Sequence, residues 1–545
     1  MKEGQEAGEL VVVEKAAAWQ AKIVFVAEAY DGSERERFLS DVARLTSEVL
    51  SAEDAPFKFL RPFLCVEAIW VASARSGVPR VDAASFVKRN NATTAFGLFR
   101  SNDAPVRLVE PSRASYARAR RVCRLSTDCD RKKTLIVLLA NDPYYGGLGD
   151  EIIIATNSET SGALALRHEL GHALGDIGEE YDGGDDYSGA NFALEPRACE
   201  RNDVAKKVYD RLRYPCAPWL SESVKAAKGA LALATWPWRR PPFLMNFHVP
   251  PSLPSATLEF SVAGGLDVLL EIDDQPLETT FKTPPTLDRR FASLQLDLSP
   301  GHHTLAITEE TSPHFSIKSH DWQPAPLLCH LQLHLEEDDS HEDIGLYPLF
   351  AEATGPIVGY RPTRSGCLMR DVTSNHLCPV CRDLLLRRLL DATKPLQQLQ
   401  VGVTSIETHL QPLLDVGAVE LLWTKRKETK KNLATLREPG CWDLRATFRS
   451  PHLRRVKPDV LEATTRIYLG TDARAKTDCD EKEHSTRWVY DDFKEPPASS
   501  YLRVALLFPV VALLLFRRPL RLFFLRLLRR SSTILPSSSP STKAG

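Results

Sequence analysis

An α/β (α+β) core interrupted by an inserted β-sandwich and followed by a C-terminal β-rich region is the fold this chain predicts. Three observations point to it. Short apolar runs alternate with a helical pattern between residues 22 and 174, and period-two alternation takes over from about residue 255 to residue 341. A Pro- and Trp-rich stretch separates the two. The 545 residues suffice for several domains, and an apolar fraction of 43% with 26% charged residues is ordinary for a folded protein.

The elements follow in order. Lys22 to Ala27 reads as a short apolar strand. Ser33 with Glu36 has the spacing of a capping box, and Phe38, Val42, Leu45 and Val49 share one face of the helix it would open. Phe63 to Ala72 is a second strand and Thr134 to Ala140 a third, ending in the turn Asn141-Asp142-Pro143-Tyr144-Tyr145-Gly146-Gly147. Glu151 to Ala155 is a fourth strand, and Ser161 to Leu174 is strongly helical. Residues 20–216 are therefore read as the first part of the core, and 217–254, with Trp236-Pro237-Trp238 and Pro241-Pro242, as a connector. The sandwich is expected over 255–344, with strands at Thr257 to Val262, Val268 to Ile272, Leu294 to Leu298 and Thr304 to Ile307. Residues 345–395 would close the core, 396–492 form a β-rich module, and 501–530 make a membrane segment with a basic flank. Half of the fourteen histidines fall between His302 and His341, at irregular spacings that suit strand and loop positions better than a metal site.

A formal net charge of -2 and the absence of a basic, aromatic-interleaved stripe argue against nucleic acid as a partner. Among eleven cysteines, Cys123 with Cys129, Cys199 with Cys216 and Cys441 with Cys479 are plausible disulfide partners. Free thiols are the alternative. The sequon Asn91-Ala92-Thr93 points the same way as the disulfides, to a glycoprotein in an oxidising compartment. Near the far end, the apolar run Val504 to Phe516 is followed by Arg517, Arg518, Arg521, Arg526, Arg529 and Arg530. It reads as a single membrane pass, with an interfacial helix as the alternative, and the arginines would stay cytoplasmic. The body would then be extracellular or lumenal, although Met1 to Leu10 holds no signal-peptide core. A recorded start that lacks residues would reconcile the two ends; the alternative is a tail-anchored chain with its body in the cytosol.

The chemistry lies in His168-Glu169-Leu170-Gly171-His172. Residues four apart share a helix face, so His168 and His172 point the same way and can hold one Zn²⁺ with coordination positions left open. Glu169 lies about 100° round the helix, beside the metal, where it can take a proton from acidified water and return it to a leaving amine. Zinc needs a third protein ligand, and Glu179 and Glu180 follow the turn at Gly178. Carboxylates just past a helix C-terminus oppose its dipole, which makes them an odd choice without a cation nearby.

The stretch His168 to Tyr181, HELGHALGDIGEEY, resembles the signature of the IgA-peptidase-like (igalysin) zinc metallopeptidases, a metzincin-related family. Ala27-Glu28-Ala29-Tyr30 with Glu34 and Phe38, and Asn141 through Tyr145-Gly146-Gly147, are similar to that family's first strand–helix unit and Tyr-Gly-Gly loop. Gly359-Tyr360-Arg361-Pro362, Cys367-Leu368-Met369-Arg370 and Cys378-Pro379-Val380-Cys381 are similar to its closing segment. The resemblance covers about residues 22–200 and 345–392. It implies a metzincin-like catalytic core, one catalytic Zn²⁺ and a protein or peptide substrate. It also implies His168 and His172 as ligands, Glu169 as general base, and Met369 as the Met-turn residue beneath the metal.

The sequence departs from the metzincin pattern at Gly178, where a third histidine usually stands. The family's acidic ligand aligns with Glu179, with Glu180 as the alternative, and Tyr181 would orient a ligand or stabilise an oxyanion. Cys367, His376, Cys378 and Cys381 fit either a structural zinc site or a disulfide from Cys367 to one of the pair, and the disulfide is preferred. Asp182, Asp185 and Asp186 could hold Ca²⁺ or form a solvated acidic loop. The expected activity is that of a zinc endopeptidase. The alternative is a membrane-linked binding protein that keeps the fold but not the turnover.

Overall fold

The computed structural model describes residues 8–11, 20–81, 94–101, 109–112, 114–130, 133–149, 152–184, 187–199, 206–208, 211–220, 241–249, 251, 255–263, 268–277, 288–309, 327–335, 344–351, 356–364, 366–393, 400–401, 406–407, 417–425, 428–431, 435–453, 460–469 and 479. All of them belong to one compact unit, Met1–Trp488; the second unit, Val489–Gly545, lies outside the described residues. The chain is a mixed α/β protein with many sheets and few helices.

Its first sheet comprises β1 (Glu9–Val11), β2 (Ala21–Glu28), β3 (Leu64–Trp70), β4 (Thr134–Ala140), β5 (Gly147–Leu148) and β6 (Ile152–Thr156), in the order β1-β3-β2-β4-β6-β5. The four inner strands are parallel, and β1 and β5 run antiparallel at the two edges. Near-continuous apolar runs such as Lys22 to Ala27 suit this position, because a parallel strand is covered on both faces. On one face, Val24, Val26, Ile136, Leu138, Ile152 and Ile154 pack on helix α2 (Ser115–Ser126) through Ala119, Val122 and Cys123. Helices α1 (Arg35–Thr46), α3 (Gly162–Gly175) and α4 (Pro379–Thr393) also pack on the sheet: α1 on β3, α3 on β5 and β6, α4 on β2.

The capping box expected from Ser33 and Glu36 does not form. Helix α1 begins at Arg35, Glu36 pairs with Arg35 at the surface, and Glu34 turns back to accept the Asp31 N–H at 2.9 Å. The Asp31 carboxylate takes the Ser33 N–H at 2.8 Å, so this turn satisfies its donors two residues earlier than the spacing suggested.

A β-sandwich follows. Strands β7 (Phe243–Val249), β8 (Ser255–Ala263), β9 (Val268–Ile272), β10 (Gln275–Leu277), β11 (Arg290–Asp297), β12 (Gly301–Glu309) and β13 (Leu327–Leu335) form two antiparallel sheets, β7-β12-β9-β10 and β11-β8-β13. Alternate residues of both sheets, Phe247, Leu258, Phe260, Leu270, Ile307 and Leu331 among them, make one core. The first strand lies inside the stretch read as connector, because Met245, Phe247 and Val249 alternate inward behind its flanking prolines. His303 is held by Asp273 at 2.7 Å and by the Ser299 carbonyl at 2.7 Å, a strand-end role rather than a metal site.

The sandwich grips the N-terminus of α3. Asp288, 4% exposed, accepts hydrogen bonds from Ser158 Oγ and, at 2.5 Å, from Ser161 Oγ, the residue that precedes the helix. A carboxylate there also opposes the positive end of the helix dipole. Asp288→Ala should lower stability by about 2–4 kcal/mol, the loss of two charge-assisted hydrogen bonds and a dipole contact. Urea unfolding of the full chain measures it, and a change below about 0.5 kcal/mol would mean the clamp contributes nothing.

The hairpin β14 (Tyr347–Phe350) and β15 (Ile357–Arg361) returns the chain to the first sheet's domain, where Ala193 and Tyr360 exchange backbone hydrogen bonds of 3.0 and 2.8 Å. Beyond α4, strands β16 (Ala418–Lys425), β17 (Glu428–Lys431), β18 (Gly440–Arg449) and β19 (Val460–Leu469) form an antiparallel sheet around buried Trp423 and Trp442. The disulfides Cys123–Cys129, Cys199–Cys216 and Cys441–Cys479 are present as expected.

The membrane expectation is corrected. Among the described residues no helix is long and apolar enough to cross a membrane. The longest, α4, has 15 residues, which span about 22 Å against a bilayer core of about 30 Å. The run Val504 to Phe516 with its arginine flank, and the sequon at Asn91, lie outside the described residues.

Candidate metal centre

Helix α3 carries the two histidines. Leu166 and Leu170 bury one side of it, and the chain leaves the helix at Asp176, whose left-handed φ of 53° makes the turn. His168 and His172 then face each other with their Nε2 atoms 3.2 Å apart. His172 Nδ1 lies 2.7 Å from the Ile177 carbonyl, which can only accept, so Nδ1 carries a proton and Nε2 is the atom turned toward His168. His168 is 7% exposed and its Nδ1 has no hydrogen-bond partner. Burial first, and the adjacent His172 second, push its imidazole down to about 3, so the ring is neutral, the form a metal ligand must have.

Past the turn, the segment Gly178 to Tyr181 runs beneath these rings. Asn191 holds it, accepting the Gly178 N–H at 2.8 Å and donating to the Gly178 carbonyl at 2.9 Å. Successive side chains of an extended segment point to opposite sides, and that separates the two glutamates. The Glu179 carboxylate joins His168 and His172, the donor atoms of all three lying within 4.8 Å of one another. The Tyr181 hydroxyl donates to Glu179 Oε1 and so orients that carboxylate. Glu180 faces the other way, into a fully buried group with Cys367, Cys378 and Cys381. The absence of a histidine at position 178 has a steric cause, because a Cβ there would overlap the backbone of Ser188.

Met369 is completely buried and its sulfur rests on Gly171 of α3, where a Cβ would collide with it. The Met369 carbonyl accepts the Glu180 N–H at 3.0 Å, so the methionine segment and the glutamate segment are joined by backbone. Glu169 stands outside the donor group. Its carboxylate lies against Gly147 and Gly149 at edge strand β5, in space that a side chain at Gly149 would fill.

The donor set fits zinc. Two ligands each about 2.0–2.1 Å from one tetrahedral ion stand about 3.3 Å apart, which the 3.2 Å imidazole separation matches.

Two expectations need correction. Cys367 is not bridged to Cys378 or Cys381; all three are free, and the fourth donor beside them is Glu180 rather than His376, whose side chain is exposed. Asp182 is not disposed as a Ca²⁺ ligand. It is 1% exposed, accepts the Phe350 N–H at 3.0 Å, and faces Arg370 at 3.7 Å and Arg361 at 3.9 Å, so two guanidinium groups balance its charge. Asp185 and Asp186 lie outside the described residues.

Sequence reasoning missed the Asp288 clamp, which no local pattern marks, and the division of labour between Glu179 and Glu180.

The comparison with curated proteins found no match. Among solved structures, a family 35 carbohydrate binding module from Clostridium thermocellum is 15% identical, with 18% of this chain and 73% of that one covered, at a TM-score of 0.14. A CBM35 module from Cellvibrio japonicus Abf62 is 13% identical, with 21% and 80% covered, at a TM-score of 0.13. Neither likeness carries weight for this chain at those scores. The model of the IgA peptidase M64 family, by contrast, matches residues 11–206, a span that takes in the first sheet, helix α3 and both glutamates. Over residues 11–206 the chain is therefore similar to the IgA peptidase M64 family.

Proposed function

We propose that the chain is a zinc-dependent endopeptidase with a metzincin-like active site. His168, His172 and Glu179 would hold the metal, Glu169 would act as general base and then general acid, and Met369 would floor the site under α3. The observation that carries this reading is the convergence of two imidazoles and one carboxylate, with Glu169 on the same helix but outside the donor set. When bound, zinc supplies Lewis acidity, which polarises a carbonyl and acidifies water. Glu169 accepts the proton that water gives up and hands it to the departing amine. Tyr181 fixes the Glu179 carboxylate.

Peptide as the substrate class is supported by edge strand β5, which pairs only with β6 among the described strands and runs beside Glu169. A free edge can add an extended peptide by backbone hydrogen bonds, which would lay a scissile bond along the site. In this reading residues 20–216 and 345–395 make the catalytic core, 255–344 the inserted sandwich and 396–492 a β-rich module.

The test is a peptide-library digest by the full chain, before and after chelation, alongside His172→Ala. Cleavage should vanish with chelator, return with zinc, and be absent in His172→Ala. Cleavage that survives either treatment would remove the metal from the reaction. Tight zinc binding with no cleavage of any peptide would leave a binding protein instead.

A further inference from the structure

The buried group on the far side of the glutamate pair has no part in that reaction. Cys378 and Cys381 flank the first turn of α4, where Pro379 opens the helix and its positive dipole end favours thiolates. Cys367 approaches from the methionine segment, its Sγ 3.8 Å from that of Cys381. Glu180 brings Oε1 to 3.0 Å from Cys381 Sγ and 3.9 Å from Cys378 Sγ. All four donor atoms lie within 4.8 Å of one another, and all four residues are buried.

Backbone N–H groups of Cys378 and Cys381 point at the sulfurs of Cys367 and Cys378, each at 3.4 Å, as donors that stabilise thiolates. Glu180 is 0% exposed, and its Oε2 has no hydrogen-bond partner. An ionised carboxylate in such a place is costly unless something positive pairs with it. A disulfide would leave that carboxylate only the Asn191 amide, which donates to Oε1 at 3.0 Å, and nothing for Oε2, whereas a cation would engage all four residues. Sulfurs about 2.3 Å from one tetrahedral zinc stand about 3.8 Å apart, the separation seen between Cys367 and Cys381.

We propose that Cys367, Cys378, Cys381 and Glu180 form a second, structural zinc site, closed to solvent and separate from the His168–His172–Glu179 centre. Four protein donors fill a tetrahedron, so no position remains for water or substrate. The ion would link the segment after α3 to a stretch distant in sequence that comprises the methionine segment and the start of α4. It would sit one residue from Glu179 and two from Met369, and would therefore brace the proposed catalytic centre. That bracing role alone rests on the peptidase reading; the site itself does not.

Metal analysis of the full chain tests it, with His172→Ala and the double variant Cys378→Ser, Cys381→Ser. About two equivalents of zinc are expected in the unmodified chain and about one in each variant. Cobalt loaded into His172→Ala should show a thiolate-to-metal charge-transfer band. If the double variant does not fold, an organomercurial added to the unmodified chain should release one equivalent of zinc and leave the other bound. Denatured without reductant, the chain should titrate all five free thiols. Two of the five consumed as a disulfide, or a His172→Ala chain without zinc, would overturn the site. A chain whose one zinc persists in His172→Ala with the charge-transfer band would support the structural site and remove the catalytic one.

Discussion

Glutamine in place of Glu169 is expected to lower kcat/KM for peptide cleavage by about 10²–10⁴-fold, or about 3–5 kcal/mol of barrier, with the zinc content unchanged. The side chain keeps its shape but loses the ability to accept a proton. It takes no part in the donor group of His168, His172 and Glu179, so the metal has no reason to leave. Glutamine also has nearly the same shape, so it should fit the space against Gly147 and Gly149 that the carboxylate occupies. Steady-state kinetics on a cleaved peptide, paired with metal analysis, measure both halves. Full activity in the variant would sink the proton-shuttle role, and loss of zinc would show that Glu169 supports the ligands instead.

The second large effect concerns the residue where metzincins usually place a histidine. Gly178→His looks like a restoration, yet it should destabilise the chain by about 3 kcal/mol or more. A Cβ at 178 would overlap the Ser188 backbone, and backbone cannot rotate aside as a flexible side chain can. The neighbouring bridge between Ile177 and Gly189, and the Asn191 clamp on Gly178, would have to open to make room. Glu179 would move with them, so zinc affinity should fall rather than rise. Thermal unfolding and zinc titration of the variant check this. A stable Gly178→His chain that binds zinc more tightly would show that the Ser188 backbone yields and that histidine can take the carboxylate's place.

Much of the core was legible because its signals are local. Parallel strands buried on both faces read as unbroken apolar runs, and β2, β3, β4 and β6 were each found within two residues of their ends. The β-sandwich announced itself by alternation at Thr257 to Val262 and Val268 to Ile272, and its first strand was hidden by the prolines around it. Cysteines at short spacing paired as expected, since a close pair closes a small loop at little entropic cost. The capping box failed for a related reason: Ser33 and Glu36 have the right spacing, but Asp31 and Glu34 offered the same donors a competing turn.

The sequence by itself determined the facing pair of imidazoles, because helical periodicity puts residues four apart on one face whatever surrounds them. It also determined that a carboxylate would follow the helix, but not which one. Only the tertiary structure decided that Glu179 turns to the histidines and Glu180 to three cysteines nearly two hundred residues away. The choice depends on which side of an extended segment faces α3, and that is set by the Met369 carbonyl, the Asn191 side chain and the Ser188 backbone. Contacts between such distant stretches leave no periodic trace in the chain, so periodicity could read the helix, while the preference for Glu179 over Glu180 rested on the family resemblance alone.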